Sequence, residues 1–300
     1  MKTILLLLVL FCFMSVNSAC TSKNDTVRIG VKKKVNEYLS LGITDYRKGK
    51  FTTAKVFLDQ ALSEAYSIDS VSEQINLLQI LADVNIRLDD IKAASNSIFR
   101  AIEIAKAENN NYYNYDLYIK LGKYYDKIAV SNKDYEFAFD QFNKALKFAS
   151  SDDQKANCFG FLGINLKKQN KLDEAIKYIN KAREINEWGQ DFDGLGDNFY
   201  TLGEIEILKE NYQKALEYHT KSLMYDKTSE NSAGIMENLK KIGIIYMNLK
   251  DNTQALNYLY RAFYVAKSID NPERVKRIQE LISGVQNPQK SNNVITNTNN

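Results

Sequence analysis

The side chains able to do chemistry are few in this sequence, and their spacing keeps them apart. One histidine, His219, and three cysteines, Cys12, Cys20 and Cys158, are the imidazole and thiol groups of the sequence. No two of them stand at metal-ligand spacing, and no base lies near Cys158 to activate it. There is no glycine-rich phosphate loop and no nucleophile elbow. Carboxylates are plentiful, but they fall on amphipathic stretches, where they read as solvated faces. Forty Lys and Arg against 37 Asp and Glu leave a net charge of +3, with both signs mixed throughout. That balance is too small to imply a nucleic-acid partner. The expectation is a protein that is not an enzyme, with no catalytic residue, no metal and no cofactor. Cys158 reads as a buried, inert thiol and His219 as a packed histidine.

Cys20 is the exception. Lys2 begins the chain with a positive charge, Ile4 to Val16 form an apolar run, and Asn17-Ser18-Ala19 end it with small and polar residues. The run is short for a membrane span, so it reads as a secretory signal. Ser18-Ala19-Cys20 resembles the end of a bacterial lipoprotein signal, in which the cysteine becomes the lipidated first residue. Asn17 departs from that pattern, which usually has an apolar residue there. The resemblance implies lipidation of Cys20 and a membrane-anchored, exported protein. Ordinary cleavage near Ser18 or Ala19 would instead give a soluble secreted or periplasmic one.

The rest of the chain is organised by a recurring frame. A small residue falls at Gly42, Ala82, Gly122, Gly163, Gly203 and Gly243, in steps of 40, 40, 41, 40 and 40. A large apolar residue stands one helical turn before each: Tyr38, Leu78, Tyr118, Phe159, Phe199 and Leu239. Two small residues follow, as in Ala54 and Ala61 or Ala215 and Ser222. Glycine or alanine at such places lets two helices approach closely. A helix pair of this kind cannot bury its apolar face alone, so the copies stack. Phe51, Ile91, Tyr135, Leu172 and Tyr212 share one core offset. Leu58, Ile98, Phe142, Ile179, His219 and Leu259 share another.

These positions resemble the tetratricopeptide repeat (TPR), a helix–turn–helix of about 34 residues. The resemblance implies an all-α, right-handed superhelical solenoid of six repeats over 35–269. They start at Val35, Ile75, Tyr115, Ala156, Gly196 and Met236. Residues 1–19 read as the signal and 20–34 as a tether. Residues 270–286 read as a capping helix, with Asn271 as N-cap, Pro272 at the first position, and Gly284 and Pro288 ending it. Residues 287–300 read as a disordered tail. Ser70 with Glu73 predicts a capping box, and Ser150 with Asp153 a looser one. In the third copy about four extra residues near Ala129 to Asn132 predict a lengthened turn.

The TPR resemblance also implies a function: first helices line a concave groove that takes an extended peptide or a partner's helix. By offset the groove comprises Tyr46, Asp83, Ile86, Lys123, Ile164, Lys167, Tyr200, Glu204, Ile207, Ile244 and Met247. One further offset is basic in four copies, at Arg47, Arg87, Lys127 and Lys168. Such a ladder could draw an acidic partner, although cations near a helix C-terminus are also favoured by the helix dipole alone. The expected role is an exported interaction scaffold that binds protein or peptide and no nucleic acid. The other reading is an extracytoplasmic sensory or regulatory module of a signalling system.

Overall fold

The computed structural model describes residues 27–109 and 111–287, and these contain helices and no strand. The signal, Cys20 and most of the tail lie outside the described residues. Helix α1 occupies 27–47. It is followed by α2 (Phe51–Ser67), α3 (Val71–Arg87) and α4 (Ile91–Ala107). A 3-10 turn, Asn111–Tyr113, leads into α5 (Asn114–Ile128), then α6 (Asn132–Phe148) and α7 (Asp152–Lys168). Next come α8 (Leu172–Gly189), α9 (Phe192–Leu208), α10 (Tyr212–Thr228), α11 (Ser232–Asn248), α12 (Asn252–Ser268) and α13 (Pro272–Gln286). The chain forms two compact units, the first ending at Leu121 and the second beginning at Gly122.

The period of forty is two helices of 17 residues, each closed by a three-residue turn. In most turns the middle residue has positive φ: Gly49, Asp69, Asp89, Asn109, Asn170, Glu210, Glu230, Lys250 and Asp270, with Gln190 ending α8 likewise. Backbone bonds of the Ser70 N–H to the Ala65 carbonyl (3.0 Å) and of the Asp69 N–H to that of Tyr66 (3.1 Å) close the first such turn after α2. An L-residue there costs about 1–2 kcal/mol, least for Asn and Asp.

The frame works as helix crossing. A Cβ added at Gly42 would stand 2.7 Å from Leu58 Cγ, and one at Gly163 would stand 2.5 Å from Ile179 Cδ1. Gly122 meets Phe142, Gly203 meets His219 and Gly243 meets Leu259 in the same way. Each glycine is covered by the shared-offset side chain of the helix after it. The opposite residues Ala54, Ala175, Ala215 and Ala255 are wholly buried. The other offset is less central than expected. Phe51, Tyr135, Leu172 and Tyr212 are only half-buried and Ile91 is exposed, because these residues lie at or near the start of their helices, beside the turn.

Three further positions record stacking. Leu77, Leu81 and Val84 of α3 are buried, as are Leu117, Leu121 and Tyr124 of α5. So are Cys158, Leu162 and Asn165 of α7, Asn198, Leu202 and Ile205 of α9, and Asn238, Ile242 and Ile245 of α11. In α1 the same positions are Glu37, Leu41 and Thr44, all exposed. At the other end, Ile278, Leu281, Ile282 and Val285 of α13 join the core of Leu259, Ala262 and Ala266. Asn271 caps α13, its Oδ1 accepting from the Arg274 N–H (3.1 Å).

Four local expectations need correction. Residues 27–34, read as tether, are helical: Val31 and Val35 continue the face of Tyr38, Val35 is fully buried, and Lys32 and Lys34 reach Glu73 and Glu64. The third copy's turn is not lengthened. It is still three residues, because α5 runs one residue further past Gly122 and α6 starts three residues earlier before Ala138. Residues added to a helix form backbone bonds that loop residues would leave to water. A reciprocal capping box stands there, between Ser131 and Asp134. The boxes expected elsewhere differ. The Ser70 hydroxyl turns to the Glu73 carboxylate instead of the backbone, and α7 is capped by Ser151, which accepts from the Gln154 N–H (3.2 Å). Gly284 does not end α13, since Val285 beyond it is buried on the same face.

Candidate functional site

The groove residues lie on first helices one or four places after the small residue, with Tyr200 three before it and the basic ladder five after, so on each helix they fall on one side. Tyr46, Arg47, Asp83, Ile86 and Arg87 belong to the first unit and the rest to the second. Tyr46 is half-buried, its ring edge-on to Phe51 with centroids 5.6 Å apart. Ile86, Ile164, Ile207, Ile244 and Met247 are also half-buried. Ile244 and Met247 rest on the last core cluster. Lys123 is exposed and lies over the Phe161 ring, 5.2 Å from its centroid.

The charged members are mostly held by neighbours within the chain. Lys167 Nζ donates to Glu204 (2.7 Å), and Lys241 reaches the other oxygen of the same carboxylate. Burial alone would raise the Glu204 carboxyl, but the two ammonium groups outweigh it and hold it at about 2. Tyr200 is pushed well above its ordinary value by burial, helped by Glu204 and Glu237. In the first unit Lys120 pairs with Asp83 at 2.8 Å. Lys168, the fourth rung of the basic ladder, is spent on Asp126 at 2.5 Å. Arg47, Arg87 and Lys127 are exposed, with no carboxylate within 4.0 Å among the described residues.

Lys120, Lys241 and Asp126 were missed from sequence. The signal for the first two was present: an acid follows the small residue in copies two and five, and a lysine stands 37 residues on, in the next copy. Elsewhere, Cys158 is buried and its thiol is pushed up to about 12 by desolvation. No group of three or more His, Cys, Asp or Glu able to hold a metal occurs among the described residues. No helix among them is long and apolar enough to cross a membrane.

Helix pairs joined by three-residue turns and crossing at small residues define an all-α helical-repeat solenoid. The fold is the one seen in tetratricopeptide-repeat proteins. A TPR repeat-containing protein of Methanocaldococcus jannaschii is 25% identical over 224 residues, covering 69% of this chain and 35% of that protein. This chain thus spans about a third of that relative's length. Among solved structures, a signal-transduction ATPase of Pyrococcus horikoshii with a TPR sensor matches at TM-score 0.68 and 16% identity, over 88% of this chain and 40% of that one. A Rap protein in complex with competence and sporulation factor matches at TM-score 0.55 and 13% identity, over 85% and 75% of the two chains. No protein-family model matches the chain.

Proposed function

We propose that the protein is a non-enzymatic interaction module that holds a protein or peptide segment against its first-helix faces. The observation that carries this reading is the division of the faces: exposed, unpaired Arg47 and Arg87 in the first unit, and half-buried Ile207, Ile244 and Met247 in the second. A matching partner is acidic where it meets the first unit's face, and a partner of the second unit's face is apolar; each face is a site by itself. The Rap complex supports it as a fold neighbour solved with a bound factor. The test is capture of a partner from membranes by the full chain, then affinity at low and high salt. Arg47→Glu/Arg87→Glu should weaken binding most at low salt, because exposed charges are screened. Ile207→Asp/Ile244→Asp should weaken it at both. Unchanged affinity in both variants overturns the reading.

The module is exported and held to a membrane by lipid on Cys20, a reading supported by the apolar run and Ser18-Ala19-Cys20. Cys20→Ala should abolish fatty-acid labelling and release the protein from membranes; a wild type that takes up no label sinks the anchor. The second reading, a regulatory module of an extracytoplasmic signalling system, is favoured by the fold it shares with the TPR sensor of the signal-transduction ATPase.

A further inference from the structure

His219 stands where other copies place Leu, Ile or Phe over the crossing glycine, and it is wholly buried. It belongs to a polar cluster that joins repeat five (α9, α10) to repeat six (α11). The Asn238 Nδ2 group faces Ser222 Oγ (2.7 Å) and Asp226 Oδ2 (2.7 Å). Ser222 spends its own proton on the Gly196 carbonyl (2.8 Å), so it accepts from Asn238. Asn231 Nδ2 holds the other Asp226 oxygen at 2.9 Å. These contacts fix the orientation of Asn238, and its Oδ1 therefore faces His219 Nδ1 at 2.9 Å. An amide oxygen only accepts, so Nδ1 carries the proton. Nε2 is then a bare lone pair, buried against Gly203 with no partner among the described residues.

We propose that this cluster is an acid-sensitive latch: protonation of His219 Nε2 opens the joint between repeats five and six. A proton on Nε2 finds no acceptor there. Tyr200 of α9 offers its ring, in edge contact at 5.2 Å. Glu204 of α9 would attract the cation, but Lys241 of α11 and Lys167 of α7 already occupy its carboxylate and repel it. Asp226, on His219's own helix, is engaged by Asn231 and Asn238. Turning the ring outward relieves the charge but leaves Asn238 Oδ1 buried without a donor, at a position where stacked repeats are tightly packed. Desolvation, outweighing the Asn238 bond, lowers the imidazole from 6.5 to about 4. The neutral ring's contribution is complete above pH 6.5 and is lost as pH falls from 6.5 towards 4. Because each repeat contacts only its neighbours, the loss falls on repeat six and α13.

The sequence has one histidine, so its imidazole titration in the full chain needs no assignment. Nitrogen-15 NMR should show the Nδ1–H tautomer and a pKa well below 6.5. Hydrogen exchange, corrected for the intrinsic pH effect, should lose protection in 232–286 by about twentyfold between pH 7 and 5. Residues 51–107 should change little. In His219→Leu/Asn238→Leu, which copies the apolar residues of other repeats, that difference should shrink to less than about threefold. A wild-type pKa at or above 6.5, the Nε2–H tautomer, or an equal loss in the variant overturns the latch. If the variant does not fold, the wild-type titration decides alone.

Discussion

Helices α1 and α13 both present an outer side to solvent, and they reach that state differently. In α1 the three stacking positions carry Glu37, Leu41 and Thr44 where α3, α5, α7, α9 and α11 bury theirs. In α13 a short amphipathic helix turns Ile278, Leu281, Ile282 and Val285 inward and Lys276, Arg277, Gln279 and Glu280 outward. Polar substitution makes an edge soluble but buries nothing new. An added helix makes an edge soluble and also covers the core beneath it. The C-terminal end gains stability from its closure, while the N-terminal end carries polar Glu37 and Thr44 but still leaves Leu41 and Ile29 in contact with solvent.

Substitutions at the two ends separate a covered edge from a bare one. Leu281→Ala, at a position 5% exposed, should cost about 2–5 kcal/mol through lost burial and a cavity, read as a lower denaturation midpoint of the second unit. Asn271→Ala removes the cap of α13 and should cost about 1 kcal/mol in the same measurement. Leu41→Ala, at 47% exposed, should cost under about 1 kcal/mol. A loss at Leu41 as large as that at Leu281 would mean that α1 is covered in solution. Glu37→Leu should leave stability within about 0.5 kcal/mol. It restores an apolar stacking position, however, so it should promote self-association in sedimentation at high concentration.

The sequence made the frame legible because glycine and its covering side chain keep one spacing in nearly every copy. His219 could be placed by that spacing, but its partner could not. The bond to Asn238 depends on which side chain faces it across a joint. One rung of the charge ladder, Lys168, is paired for the same reason. Lys168 and Lys167 stand among first-helix cations, and only stacking showed that Asp126 and Glu204 hold them. The third copy's extra residues were counted correctly and placed wrongly, since spacing cannot say whether a helix or a loop absorbs them.

The residues of positive φ at 49, 69, 89 and 109, and again from 170 to 270, stand twenty apart. Helix and turn therefore recur as nearly equal lengths of chain. Drawn out from its two ends under load, the protein should lengthen in nearly uniform steps of about 140 Å per forty-residue repeat. The turns after α5 and α6 carry no such residue, which makes the third repeat the place where that rhythm should falter.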